Sequence, residues 1–283
     1  MNLCRRSPLR YPGGKARLTK YFSKLLEAND LSGTTYIEPY AGGAGVALGL
    51  LMNNFVSNII INDIDKSIYA FWYSIVNEPD RFCDAILSTP VSVEEWRKQK
   101  SIQNNNDSSL FELGFSTFFL NRTNRSGILK AGIIGGWKQL GDYKINCRFN
   151  KDNLIKLIKD IAQFSKRIKV FNYSAEELIK RSISKYKNNN AFVFFDPPYF
   201  ENGCKLYTNY YSSDDHRNLK DLIEKHVKVP WVITYDNVEQ VKQLYQGYRY
   251  EEYNLSYSAA SKRVASEIMI FSRSLTNPIK PFL

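Results

Sequence analysis

Four consecutive residues, Asp196, Pro197, Pro198 and Tyr199, follow directly on the apolar run Phe192–Phe195. They set side by side a carboxylate, a backbone carbonyl that proline retains, and an aromatic ring. Such a set suits an amine whose lone pair is conjugated with a ring, as in the exocyclic nitrogen of adenine. The Asp196 side chain and the Pro197 carbonyl would each accept one N–H and draw the nitrogen toward tetrahedral geometry. Tyr199 would stack on the base and hold it for in-line attack on a methyl donor. The same four residues also make an ordinary strand-ending turn with Tyr199 as packing, because prolines are common in turns. The chemistry therefore needs a strand beneath it and a second binding element beside it.

The strand is legible. A wholly apolar run is the pattern of a strand buried on both faces, and two prolines without N–H donors stop further pairing. Asp196 is thus expected at the carboxyl end of a central strand, the edge where open α/β sheets bind ligands. The second element is residues 34–45, Thr-Thr-Tyr-Ile-Glu-Pro-Tyr-Ala-Gly-Gly-Ala-Gly, a short strand running into a glycine-rich turn and a helix from Val46 to Met52. Glycines let backbone approach a ligand, and a helix start offers free N–H groups. The next strand, Asn58 to Ile64, carries Asp63 about 20 residues past the loop, the offset of a carboxylate that binds ribose hydroxyls. Asp63 could equally cap a helix beginning near Lys66. Upstream, Pro-Leu-Arg-Tyr-Pro-Gly-Gly-Lys (8–15) precedes a helical pattern from Leu18 to Leu26. It is not a phosphate loop, lacking the earlier glycine and the following Ser or Thr.

In order along the chain stand Pro-Gly-Gly-Lys (12–15), Glu-Pro-Tyr-Ala-Gly-Gly (38–43), Asn-Asp-Ile-Asp (62–65), Asn-Arg-Thr-Asn-Arg-Ser-Gly (121–127) and Asp-Pro-Pro-Tyr (196–199). This set resembles the Dam-type, alpha-group DNA adenine N-6 methyltransferases from about Pro8 to about Ser272. The resemblance implies that Tyr11, Lys15, Asp63 and Asp196 contact S-adenosylmethionine. Glu38, Tyr40, Gly42 and Gly43 would line its methionine end, and Asp196, Pro197, Pro198 and Tyr199 would form the catalytic motif. It implies methyl transfer to N6 of an adenine flipped out of duplex DNA, with S-adenosylhomocysteine as product. No metal is expected, because a sulfonium is already an activated leaving group. The biological setting would be restriction–modification, with a cognate endonuclease acting on the same site, or Dam-like marking. Two positions depart from the family pattern: Tyr40 stands where Phe is usual, and Ala44 where a third glycine is usual. Cytosine or glutamine amino-methyltransferases would share the fold but usually resemble Ser/Asn-Pro-Pro-Tyr here. A dehydrogenase would want Gly-x-Gly-x-x-Gly, whereas residues 42–47 end in Val46-Ala47. A decayed, purely DNA-binding relative would not keep Asp63 and Asp196 together.

The remaining expectations concern the elements that hold these residues. Alternating patterns predict a doubly wound, Rossmann-like α/β sheet with strands near 34–39, 58–64, 168–172, 191–195 and 231–235. Tyr248–Tyr257 and Ser266–Ser272 would add antiparallel edge strands. Helices are predicted over 66–77, 93–103, 109–121, 152–165, 175–186, 214–226 and 237–245. The interval 66–165 is too long for a crossover and reads as an inserted, mainly helical recognition domain between catalytic segments 1–65 and 166–283. Within it, Ile128-Leu129, Ile133-Ile134 and Tyr143–Phe149 suggest a β-hairpin among turn glycines. Arg122, Asn124, Arg125, Lys130, Lys138 and Gln139 would then reach phosphates or base edges. Asn121 and Arg122 have the rival role of closing the hairpin. Glu201–Ser213, polar and Tyr/Ser-rich, is expected to be mobile without DNA.

Composition agrees. The 283 residues are 43% hydrophobic, enough for a sizeable core, and the net charge of +11 favours a polyanionic partner. Between Asn121 and Lys169 there are twelve Lys or Arg against three Asp, so the excess is concentrated in the second half of the predicted insert and the residues just after it. Four scattered cysteines and two histidines, without a Cys-x-x-Cys pair, do not spell a zinc site and fit a reducing compartment. With no leader or membrane-length apolar run, the chain is expected to be soluble, cytoplasmic and nucleoid-associated, bacterial or phage-encoded, and monomeric or weakly dimeric.

Overall fold

Residues 7–11, 13–187, 190–200, 211–257 and 263–276 are described by the computed structural model. Seven strands form one sheet: β1 (Thr35–Glu38), β2 (Asn58–Asn62), β3 (Ile168–Phe171), β4 (Ala191–Phe195), β5 (Trp231–Asp236), β6 (Arg249–Tyr257) and β7 (Arg263–Phe271). Their order is β3-β2-β1-β4-β5-β7-β6. The first five run parallel, and β7 and β6 close one edge antiparallel, with Ile233 opposite Ile270 and Tyr253 opposite Glu267.

Every residue of β4 is buried. Phe192 and Phe194 face the cluster built on Phe22 and Tyr36, while Ala191, Val193 and Phe195 face the one built on Ile37 and Ile233. A strand apolar on both sides requires helices on both sides. Helices α1 (Thr19–Ala28), α2 (Gly45–Met52) and α3 (Lys66–Asn77) supply the first face. Helices α8 (Ala175–Arg181), α9 (Ser213–His226) and α10 (Glu239–Leu244) supply the second. The strand order turns back between β1 and β4, which opens a crevice at their carboxyl ends.

Between β2 and β3 the described residues form α3, α4 (Pro79–Ser88), α5 (Val93–Asn104), α6 (Leu110–Thr123) and α7 (Lys151–Ala162). Phe71, Phe82, Phe118, Phe119 and Phe149 stack edge-on and face-on at their centre, and this aromatic core is continuous with the first sheet face. The helix α4 is an addition to the sequence expectation. Its signal was present, in Pro79 at the first turn and apolar Phe82, Cys83 and Ile86 on one side.

The expected hairpin within 128–149 is a correction. The described backbone there has a single antiparallel bridge, Asn124 with Ile133, and Ile145–Arg148 is a short 3₁₀ turn. Positive φ at Ser126, Gly127, Gly135, Gly136 and Gln139 interrupts any ladder. Ile133 and Ile134 are both buried although adjacent, so the segment does not alternate as a strand would. Of the stretch expected to be mobile, residues 201–210 lie outside the described residues. Tyr211–Ser213 begins α9, where Ser212 and Asp215 form a reciprocal cap.

Candidate active site at the carboxyl edge of the sheet

Asp196 leaves β4 at the crevice. Its Oδ1 accepts from Thr234 Oγ1 on β5 at 2.6 Å and lies 3.2 Å from Lys15 Nζ. The Lys15 ammonium also sits 2.7 Å from Glu267 Oε2 and donates to the Tyr199 hydroxyl at 3.1 Å. Tyr199 donates in turn to Glu267 Oε1, and Tyr253 donates to Glu267 Oε2 at 2.6 Å. The side chains of Lys15 and Glu267 are 3% and 1% exposed, whereas that of Asp196 is 22% exposed. Asp196 is therefore the member of this charged cluster open to an incoming group. Burial raises its pKa, Lys15 opposes the rise, and Glu267 adds to it. Burial also pushes Glu267 up, but Lys15 and the two tyrosine hydroxyls outweigh it and hold that carboxyl below the usual range. Pro197 is buried and Pro198 half-buried beside them, and Phe200 N–H, just past Tyr199, donates to Asp236 Oδ1 at 2.8 Å.

The glycine turn lies across the crevice. Gly42 and Ala44 both adopt positive φ, 44° and 45°. A methyl group on Gly42 would stand 2.6 Å from the Tyr11 ring, and one on Gly43 3.0 Å from Tyr11 Cβ, so Tyr11 packs directly on the turn. The turn is held from behind by Trp72 Nε1, which donates to the Gly42 carbonyl at 2.8 Å. Asp63, at the end of β2, accepts from Gly42 N–H at 2.9 Å and from Asp65 N–H at 3.0 Å. The capping of α3 falls to Asp65, which accepts from Ser67 N–H, so Asp63 faces the turn. Glu38 is buried, accepting from the Tyr36 hydroxyl and from Ala47 N–H in the first turn of α2. Burial pushes Glu38 up to about 8 and Asp63 up to about 6. Tyr40 turns the other way and shares a hydrogen bond with the Tyr211 hydroxyl at 3.0 Å.

The third component joins the helical region to this crevice. Asn121, buried at the end of α6, accepts from Arg10 N–H at 2.7 Å and donates to the carbonyls of Arg10 and Gly127. Gly127, at φ 75°, packs so closely that a Cβ would sit 2.3 Å from the Arg10 carbonyl. Asn121 thus closes a turn rather than a hairpin, and it fixes the strap that carries Tyr11. Two expected nucleic-acid contacts are corrected here. Asn124 is fully buried, accepting from Trp96 Nε1 and donating to the carbonyls of Ile128 and Leu129. The Gln139 amide is spent on Ile134 and Gly136 carbonyls and on Ile145 N–H. Both polar side chains satisfy the irregular backbone that replaced the hairpin. Arg125, Lys130 and Lys138 are exposed, among exposed Ile128, Trp137, Leu140 and Tyr143. Arg122 is half-buried. Burial and the charges of Arg10 and Arg148 lower it to about 10, and its Nε has no hydrogen-bond partner among the described residues.

Sequence reasoning missed Glu267, Thr234 and Tyr253. A glutamate within the apolar run Ile268–Phe271 and its flank was the available signal for the first.

The D12 class N6 adenine-specific DNA methyltransferase family matches residues 11–259. The type II methyltransferase M.MjaIII of Methanocaldococcus jannaschii is 25% identical over 263 residues, which cover 85% of this chain and 88% of that protein. The type II methyltransferase M.CviBI of Paramecium bursaria Chlorella virus NC1A is 24% identical over 279 residues, covering 92% and 95% respectively. Among solved structures, a SAM-dependent methyltransferase from Agrobacterium tumefaciens aligns with 90% of this chain and 61% of its own, at a TM-score of 0.39 and 10% identity.

Proposed function

The chain belongs to the D12 class N6 adenine-specific DNA methyltransferase family, and on that premise we propose that it methylates N6 of an adenine turned out of duplex DNA into the crevice beside Asp196. The observation that carries the reading is the partly exposed carboxyl of Asp196, set between the buried Lys15–Glu267 pair and the Tyr11-packed glycine turn. S-adenosylmethionine, when bound, supplies a methyl group that N6 takes as the C–S bond breaks, leaving S-adenosylhomocysteine with the electron pair on sulfur.

The chain's own residues fit that ligand. Glu38, Asp63 and Asp196 are three acids whose pKa values burial raises, at the carboxyl ends of the neighbouring strands β1, β2 and β4, a setting that favours a cation. The Gly42–Gly43 turn, packed against Tyr11, would line the methionine end, and Asp63, which accepts from Gly42 N–H, would also accept from ribose hydroxyls. Asp196 and the Pro197 carbonyl accept the two N6 hydrogens. The raised pKa of Asp196 suits it to take the proton that N6 sheds. Tyr199, anchored through its hydroxyl, offers its ring face to the base.

The helical region 66–165 serves as the target-recognition part and segments 1–65 and 166–283 as the catalytic part. Exposed Arg125, Lys130 and Lys138 supply phosphate contacts, while Trp137, Leu140 and Tyr143 are placed to pack against bases. The crowded Arg10, Arg122 and Arg148 repel one another and would be relieved by a phosphate. The two type II relatives support a restriction–modification role with a cognate endonuclease, in the cytoplasm where the DNA lies. No described helix is long and apolar enough to cross a membrane. Sequencing DNA from cells that express the protein, with detection of N6-methyladenine, tests the reading. Methyl groups on adenine within one short recurring sequence are expected; unmodified DNA, or methyl groups on cytosine, would overturn it.

A further inference from the structure

We infer that Glu267 is a positioning residue for the transfer, holding the Tyr199 ring in place and drawing Lys15 away from a closer pairing with Asp196. The inference rests on the proposed function and adds a residue to it. Glu267 lies on β7, opposite Asp236 of β5 and Tyr253 of β6, with no exposed surface. A carboxylate there must be satisfied by donors, and three converge on it: Lys15 Nζ, the Tyr253 hydroxyl and the Tyr199 hydroxyl. Two of the three belong to the crevice, and they are 184 positions apart in the chain.

The distances show how Lys15 is shared. Its ammonium is 2.7 Å from Glu267 and 3.2 Å from Asp196. Glu267 therefore takes the stronger contact. Without that competitor Lys15 would settle on Asp196 Oδ1, which already accepts from Thr234. The acid would then be more strongly ionised and would have less acceptor capacity for an N6 hydrogen. The Tyr199 hydroxyl would lose the Glu267 carboxylate as an acceptor at the same time, loosening the hold on its ring.

The groups that bear on Asp196 are Lys15 ahead of α1, Tyr36 and Glu38 on β1, Tyr253 on β6 and Glu267 on β7. Of these, Glu267 raises the Asp196 pKa, so removing its charge should lower it. The sign follows directly: Asp196 works ionised, so the acidic limb of the kcat profile should move to lower pH.

The test compares Glu267→Gln, and separately Tyr253→Phe, with wild-type enzyme in single-turnover methyl transfer to DNA across pH. Glu267→Gln should lower the transfer rate about 10- to 100-fold and shift the acidic limb to lower pH. Its affinities for S-adenosylmethionine and DNA should stay within about twofold. Tyr253→Phe, which removes one donor and no charge, should slow transfer several-fold and leave the limb in place. It remains informative if Glu267→Gln does not fold. Wild-type rates in both variants, or an unmoved limb with the whole loss of Glu267→Gln in KM, would overturn the inference. Absence of transfer by the wild-type protein would instead overturn the proposed function.

Discussion

Glu38 offers the clearest test of how a single buried side chain meets the cofactor. Its pKa is pushed up to about 8 by burial, so without ligand it is mostly protonated at pH 7. A cation bound beside it stabilises the ionised form and lowers that value. Cofactor binding at pH 7 should therefore release a proton, and affinity should rise with pH until about 8 and level off above. Calorimetry in buffers of different ionisation enthalpy reads this, and Glu38→Gln should abolish both the release and the slope. The glycine turn gives a second comparison. Ala44 stands in the left-handed region that favours glycine, yet three contributions nearly cancel there. Relieving the strain with Ala44→Gly gains about 1–2 kcal/mol, while losing a buried methyl costs about 0.8 and added unfolded-state freedom about 0.4–1 kcal/mol. Thermal unfolding of Ala44→Gly should lie close to wild type. Gly42→Ala combines the same strain with a 2.6 Å approach to the Tyr11 ring, and should cost about 2–4 kcal/mol together with cofactor affinity.

At the scale of elements, the sequence carried the sheet well because its signals were local. The unbroken apolar run of β4 and the mostly apolar β5 fall where the spacing predicts, whereas the cap that starts α3 is Asp65 rather than Asp63. The region 124–149 was legible as glycine-rich and basic, but it was read as a hairpin and not as the irregular backbone it forms. Glycines at positive φ and adjacent inward isoleucines look like hairpin ingredients until their direction is known. Asn124 and Gln139 have the chemistry to read bases, but in an irregular segment unpaired backbone groups claim such side chains first. Glu267 and Tyr253 escaped notice because their partners are distant in sequence, and no periodicity announces a residue 252 positions from Lys15. The Asn121 tie is the element-level counterpart, joining α6 to the strap at Arg10. Asn121→Ala removes three hydrogen bonds in a buried setting and should cost about 3 kcal/mol of stability. It should also weaken cofactor binding through Tyr11, which titration and thermal unfolding would report together. Wild-type affinity in a destabilised variant would show that the strap does not set Tyr11.

Across the whole molecule, charge and topology divide the work. The acids with raised pKa gather at the crevice where the strand order reverses, while the exposed cations of residues 125–138 lie on the loop beyond α6. Such separation lets one surface attract a polyanion while another accepts a cationic ligand. Arg125→Glu combined with Lys138→Glu should reduce DNA affinity and flatten the slope of log K against log salt by about 2. An unchanged slope would move the DNA face elsewhere. The most direct test of the account is single-turnover transfer of labelled methyl from S-adenosylmethionine to duplex DNA by Asp196→Ala beside wild-type protein. The account predicts label on adenine N6 with the wild type, and none above background with the variant, although the variant still binds DNA. Label transferred at the wild-type rate by Asp196→Ala would contradict it.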